Sequence, residues 1–207
     1  MKIEFCSTYI PKNNLSNSQR SFILKENENL NIFGLSGSGK TSYVNALLGI
    51  PSTLKGDILF NSKKINTFSH QDWTDLRKNE ISFVLQNLQI FGNLDIDDNI
   101  QIVANLYSDI DYSKIHYIKN FLNLAPQNPR KAKNLSLGER QRLAICRSLI
   151  RPFSTLILDE PFSHLDKENT EKATLLINEV LKENNANVIF TSHSKSNWQI
   201  LNKSLLV

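Results

Sequence analysis

The sequence predicts an α/β fold, a mostly parallel sheet preceded by antiparallel N-terminal strands and interrupted by a helical insertion. Three observations carry that reading. Short apolar runs such as Leu30–Phe33, Leu156–Leu158 and Val188–Phe190 alternate with longer segments of helical pattern or loop, the order that builds parallel sheets. A glycine-rich loop stands directly between one such run and a helical stretch. From about residue 95 to 125 the apolar spacing becomes helical, with no strand between.

In chain order, Ile3 and Phe5 alternate with polar residues, and Ser21–Leu24 and Leu30–Phe33 flank the polar turn Glu26–Asn29. Thr41 to Leu48 suits a helix that Gly49 and Pro51 end. Asp57–Phe60 and Ile81–Leu85 read as two more strands. Ile100, Val103, Ala104 and Tyr107, then Ile115, Ile118, Phe121 and Leu122, fall at helical spacing. Pro126 and Pro129 interrupt, and a further helix starts near Gly138. Leu156–Leu158 leads to a helix near Asn169–Leu181, and Val188–Phe190 to a short terminal segment. The division expected is one domain over 1–207, with a core of 1–86 and 141–207 around a helical subdomain of 87–140.

A chain of 207 residues suits one core and needs no disulfide or metal staple. The 24 Lys and Arg are scattered among 20 Asp and Glu, for a net charge of +4, so no nucleic-acid-binding tail is expected. Cys6 and Cys146 lie far apart without metal-ligand spacing and read as buried thiols in a reducing compartment. Met1-Lys2 is followed by alternating residues, not by the apolar stretch of a secretory signal. No apolar run approaches the roughly 18 residues of a membrane-spanning helix. A soluble, cytoplasmic protein is expected.

Gly34-Leu35-Ser36-Gly37-Ser38-Gly39-Lys40-Thr41 fits the phosphate-binding pattern G-x-x-x-x-G-K-[ST], after a strand and opening a helix. Glycines let backbone N–H groups turn toward phosphate oxygens without a Cβ in the way. Lys40 adds positive charge at the β- and γ-phosphates, the Thr41 hydroxyl can ligate Mg²⁺, and the helix start, through Ser42, lies against the same anion. The chain has 7 glycines and three of them sit in this loop, which sets it apart from a chance glycine turn. Leu156-Ile157-Leu158-Asp159-Glu160 is an apolar strand ending in two carboxylates, at the strand end where α/β folds place ligands. Asp159 can hold Mg²⁺ through its water shell, and Glu160 is placed to orient or deprotonate an attacking water.

Leu135-Ser136-Leu137-Gly138-Glu139-Arg140-Gln141-Arg142, about twenty residues before those carboxylates, resembles the signature motif of the ABC-type ATPases. Gln86 closes a strand, like that family's Q-loop glutamine; Ser163-His164-Leu165-Asp166 resembles its D-loop, and His193 its switch histidine. All six motifs stand in family order across essentially the whole chain. The resemblance implies an ATP hydrolase using ATP and Mg²⁺, with Glu160, His193 and Gln86 catalytic, and with Thr41, Gln86 and Asp159 at the metal. It implies a head-to-tail homodimer, or a heterodimer with a second cassette, with two ATP molecules sandwiched between one subunit's phosphate loop and the other's Ser136 and Gly138. Ser163 and Asp166 would lie at that dimer contact. Tyr9, about 25 residues before the loop, stands where the family has an aromatic that stacks on adenine. Leu137 departs from the usual glycine.

The implied partner is a transmembrane permease subunit, with the chain peripheral at the inner face of the cell membrane. Asp75–Gln86 and Glu139–Arg142 resemble the lipoprotein-release and macrolide-export group, whereas Pro161–Asp166 is closer to small-molecule importers. A soluble family member such as the iron–sulfur assembly ATPase is the remaining alternative. DNA-repair relatives carry a long heptad insertion, and here only about 95 residues, without heptads, separate phosphate loop and signature. About fourteen residues follow His193, so no C-terminal regulatory domain is expected.

Overall fold

The computed structural model describes residues 2–8, 19–26, 28–52, 54–125 and 130–207. Among them the chain runs β1 (Ile3–Thr8), β2 (Gln19–Leu24), β3 (Leu30–Phe33), α1 (Lys40–Leu47), β4 (Lys55–Phe60), β5 (Lys63–Lys64) and α2 (His70–Asp75). It continues through β6 (Ile81–Val84), α3 (Ile96–Ala104), α4 (Tyr112–Phe121), α5 (Leu137–Leu149), β7 (Thr155–Asp159), α6 (Lys167–Glu183), β8 (Asn187–Ser192) and β9 (Lys203–Leu206).

Two sheets result. An antiparallel one has the order β2-β1-β4-β5, and a parallel one the order β6-β7-β8-β3-β9. β2 and β3, consecutive in the chain, therefore belong to different sheets and do not pair as a hairpin. Leu30 and Ile32 are both buried, and their strand pairs with β8 and β9 from the far end of the chain.

Burial on both faces of the parallel sheet explains the unbroken apolar runs. Leu156 and Leu158 of β7, with Val188 and Phe190 of β8, pack toward α5 and α6. The alternate residues Ile157 and Ile189 join Tyr43, Val44 and Leu47 of α1 and the inner face of the antiparallel sheet. Ile115 and Ile118 of α4 and Ile100 of α3 extend the first cluster into the insertion. Cys146 is a free, fully buried thiol whose pKa burial pushes up to about 12, so it is inert. No helix among the described residues is long and apolar enough to cross a membrane.

Several boundaries differ from the sequence reading. β6 stops at Val84, so Leu85 lies outside the strand and Gln86 does not close it but stands beyond it, exposed. α3 ends at Ala104, leaving Tyr107 off the helix, where its hydroxyl donates to the Lys78 carbonyl at 3.1 Å. The terminal segment contains an edge strand, β9. Residues 65–80 are largely helical; α2 starts on a capping box in which Ser69 accepts from the Asp72 N–H and Asp72 from the Ser69 N–H. α5 runs unbroken from Leu137 to Leu149.

Leu158→Ala removes a side chain with no exposed surface and should cost about 2–5 kcal/mol in urea unfolding. Leu175→Ala, on the outer face of α6, should change stability by less than about 0.5 kcal/mol. Similar losses at both positions would contradict the packing described.

Candidate active site

The phosphate loop lies between β3 and α1. Gly39, at the N-cap of α1, has φ 106°, a conformation that a side chain would strain. No side chain caps α1, so its first N–H groups stay available to an anion. Lys40 is 5% exposed and folds back over the loop, its Nζ donating to the carbonyls of Gly34 (2.9 Å) and Leu35 (3.1 Å). Ser38 Oγ is buried without a hydrogen-bond partner.

β7 brings Asp159 to the same edge, at 1% exposure. Thr191, its register partner on β8, donates from Oγ1 to Asp159 Oδ1 at 2.7 Å. Burial raises the Asp159 pKa, against the pull of the Thr191 and Thr41 hydroxyls. The other oxygen, Oδ2, is buried with no hydrogen-bond partner.

Glu160 leaves the strand with φ 49°, a left-handed backbone that costs a side-chain-bearing residue about 1–2 kcal/mol. Its N–H donates to Thr191 Oγ1 at 2.9 Å. One carboxylate oxygen then lies 3.1 Å from Lys40 Nζ, and the other 3.2 Å from His193 Nε2. Three separate stretches of sequence thus meet at one carboxylate.

Beside it a cavity of about 410 Å³ is lined by Thr41, Gln86, Asn87, Gln89 and Asp159 among others. These side chains offer oxygen ligands, and Asp159 Oδ2 has unused capacity, which suits a hard cation such as Mg²⁺. No group of three or more His, Cys, Asp or Glu among the described residues could cage a metal. Sharing a cation between one carboxylate, a hydroxyl and substrate phosphates is the usual Mg²⁺ mode, so the residues fit it.

Ser136 and Gly138 meet other partners. Ser136 caps α5, its Oγ accepting from the Glu139 N–H at 3.2 Å while its own N–H donates to Glu139 Oε2 at 2.8 Å. A Cβ on Gly138 would sit 2.9 Å from the His164 carbonyl, so close packing onto the 163–166 loop requires the glycine. Leu137 is 52% exposed. Asp166 caps α6, accepting from the Asn169 N–H at 2.8 Å. Ser163 Oγ accepts from the Gln141 amide at 3.2 Å. Gly34 to Thr41, Gln86, Asp159, Glu160 and His193 converge at one edge of the sheet, whereas Tyr9 lies outside the described residues.

Three buried polar side chains were given no role by the sequence reading, although Gln141 lies inside the signature stretch Leu135–Arg142. Thr191 bridges both carboxylate residues. Gln141 reaches the Glu160 carbonyl at 3.1 Å. Asn99, fully buried, pins the Phe91 peptide by accepting from its N–H (2.9 Å) and donating to its carbonyl (3.1 Å). For Asn99 the available signal was an isolated asparagine inside an apolar helical pattern.

A family model described as ABC transporter matches residues 18–163. The lipoprotein-releasing system ATP-binding protein LolD of Buchnera aphidicola is 33% identical over 177 residues, covering 84% of this chain and 77% of that one. The phosphonates import ATP-binding protein PhnC of Fusobacterium nucleatum is 28% identical over 185 residues, covering 84% and 74%. The chain shares its fold with a dimeric bacterial ABC transporter cassette (TM-score 0.79, 23% identity, 99% of this chain and 94% of that one). The chain belongs to the ABC transporter family.

Because burial raises the Asp159 pKa, its ionisation opposes folding; the penalty is full above the raised pKa and absent below the unfolded value of about 3.9. Asp159→Asn should therefore raise the melting temperature of the nucleotide- and Mg²⁺-free protein at about pH 8, and the gain should shrink as pH falls toward about 4. A lower melting temperature at the higher pH would contradict this account.

Proposed function

We propose that this ATP-binding, ATP-hydrolysing transporter subunit works as a head-to-tail dimer that drives a membrane permease of the lipoprotein-release type. The observation that carries the hydrolytic part is the Glu160 carboxylate, held between Lys40 and His193 at the mouth of the phosphate loop. In this reading the loop from Gly34 to Ser42 holds the phosphates, and Lys40 exchanges Glu160 for the γ-phosphate. Released from Lys40, Glu160 accepts a proton from the attacking water, and His193 keeps the carboxylate oriented. Thr41, Asp159 and Gln86 would hold Mg²⁺, which neutralises charge building on the phosphates. Ser136 and Gly138 of one subunit, with Ser163 and Asp166 alongside, would close the site of the other, and Tyr9 would stack on the adenine.

For the partner, residues 87–140 are the proposed helical subdomain and Phe91 its contact. Ile90 packs partly into the core, whereas Phe91 is 47% exposed. Its backbone is fixed by Asn99, and the Arg147 guanidinium lies 5.4 Å from its ring. A rigid aromatic beside an arginine is the composition of a binding hot spot. A permease docked there would place the chain in the cytoplasm, at the inner face of the membrane. Identity to the lipoprotein-releasing relative supports the export reading. The Pro161–Asp166 segment and the phosphonate-import relative favour an importer as the second reading.

Glu160→Gln should retain ATP binding, slow phosphate release by about 10²–10⁴-fold and accumulate an ATP-bound dimer in gel filtration. Hydrolysis at the wild-type rate would remove Glu160 from the mechanism. Phe91→Asp should abolish co-purification with the membrane subunit while leaving the ATPase rate of the isolated chain within about twofold, consistent with loss of about 2 kcal/mol or more of docking energy. Wild-type recovery of the partner would move the docking surface elsewhere.

A further inference from the structure

Gln141 lies one turn into α5 with 1% of its surface exposed. Its amide is used completely. Nε2 donates to the Glu160 carbonyl at 3.1 Å and to Ser163 Oγ at 3.2 Å, while Oε1 accepts from the His164 N–H at 2.9 Å. All three partners belong to the loop that leaves β7. A carboxamide is the side chain that can donate twice and accept once from this position.

One of those bonds falls on a strained residue. Glu160 has the left-handed φ of 49°, and such a conformation persists only where its surroundings over-determine it. Thr191 holds the peptide N–H of Glu160 at 2.9 Å, and Gln141 holds its carbonyl. The residue is thus clamped on both sides, once from β8 and once from α5. With its backbone fixed, the carboxylate is aimed at Lys40 and His193.

We infer that Gln141 is a positioning residue for ATP hydrolysis: its amide sets the Glu160 peptide, and through it the direction of the carboxylate. The inference rests on the role proposed above for Glu160. It also links the two ends of the site. Gln141 shares a rigid helix with Ser136 and Gly138, so a displacement of the start of α5 is passed by one hydrogen bond to Glu160. Misplacing a reacting group by about 1 Å can cost about 100-fold in rate, whereas binding of ATP at the loop does not involve Gln141.

The test is steady-state phosphate release by the full chain with Mg²⁺ and ATP. Gln141→Met keeps the volume and removes all three bonds; kcat should fall by about 10–100-fold with KM for ATP within about threefold. Gln141→Glu supplies a conservative comparison. Its carboxylate cannot donate to the Glu160 carbonyl, but the protonated acid can, and burial favours that form. Its rate relative to wild type should therefore climb as pH falls from about 8 to about 6. A merely structural role would give a ratio independent of pH. Wild-type kcat in folded Gln141→Met, or a change in KM alone, would overturn the inference. Should Gln141→Met fail to fold, the Gln141→Glu profile decides: a rising ratio supports the inference and a flat one overturns it. A wild-type chain that released no phosphate would take down the hydrolytic reading itself, whereas active wild type with equally active variants would take down only Gln141.

Discussion

Lys40 and Glu160 come from opposite halves of the sequence and meet at 3.1 Å with side chains only 4% and 12% exposed. Two charges so far out of water are tolerable only when hydrogen bonds complete their coordination, since the desolvation penalty amounts to several kcal/mol per ion. Lys40 has two loop carbonyls and Glu160 has His193. The pair therefore fixes the curl of the phosphate loop and the exit of the chain from β7 together. It also holds positive charge where a γ-phosphate belongs. An arriving phosphate competes with a carboxylate for the same ammonium, so binding and the release of Glu160 for chemistry are one event in the proposed mechanism.

The parallel sheet makes that meeting possible. β3, β7 and β8 run in the same direction, so the residues just beyond their C-terminal ends emerge at one edge: Gly34, then Glu160, then His193. Asp159 and Thr191 are register partners, which turns a ladder pairing into a hydrogen bond between their side chains. The strands can carry charges at their ends because the residues before them are buried on both faces, Leu156 and Leu158 toward α5 and α6 and Ile157 toward α1. Hydrophobic burial anchors the strands. The charged ends carry the function.

Much of this was legible in the amino-acid order because its chemistry is local. Gly34 to Thr41 is a contiguous loop, and a strand ending in Asp159-Glu160 is visible as an apolar run meeting two carboxylates. The features that were missed act at long range or without periodicity. Gln141 contacts residues 19 to 23 positions away, and Thr191 reaches back 31 and 32, so no short window shows what either holds, even though Gln141 lies inside the signature stretch. β9 is a four-residue edge strand, too short for alternation to be read. The polar stretch Glu26–Asn29 shows in sequence that two strands are separated by a turn, but local sequence does not record that β2 and β3 enter different sheets. Gln86 was placed at a strand end from its apolar neighbours, although β6 stops at Val84 and frees it to line the cavity beside Asp159.

The central claim is that the Gly34–Thr41 loop binds ATP through the charge of Lys40. Equilibrium titration of the full chain with a fluorescent ATP analogue, wild type against Lys40→Ala, tests it most directly. The account predicts saturable binding by the wild type and loss of measurable affinity in the variant, with both proteins folded by circular dichroism. Unchanged affinity in folded Lys40→Ala would contradict it.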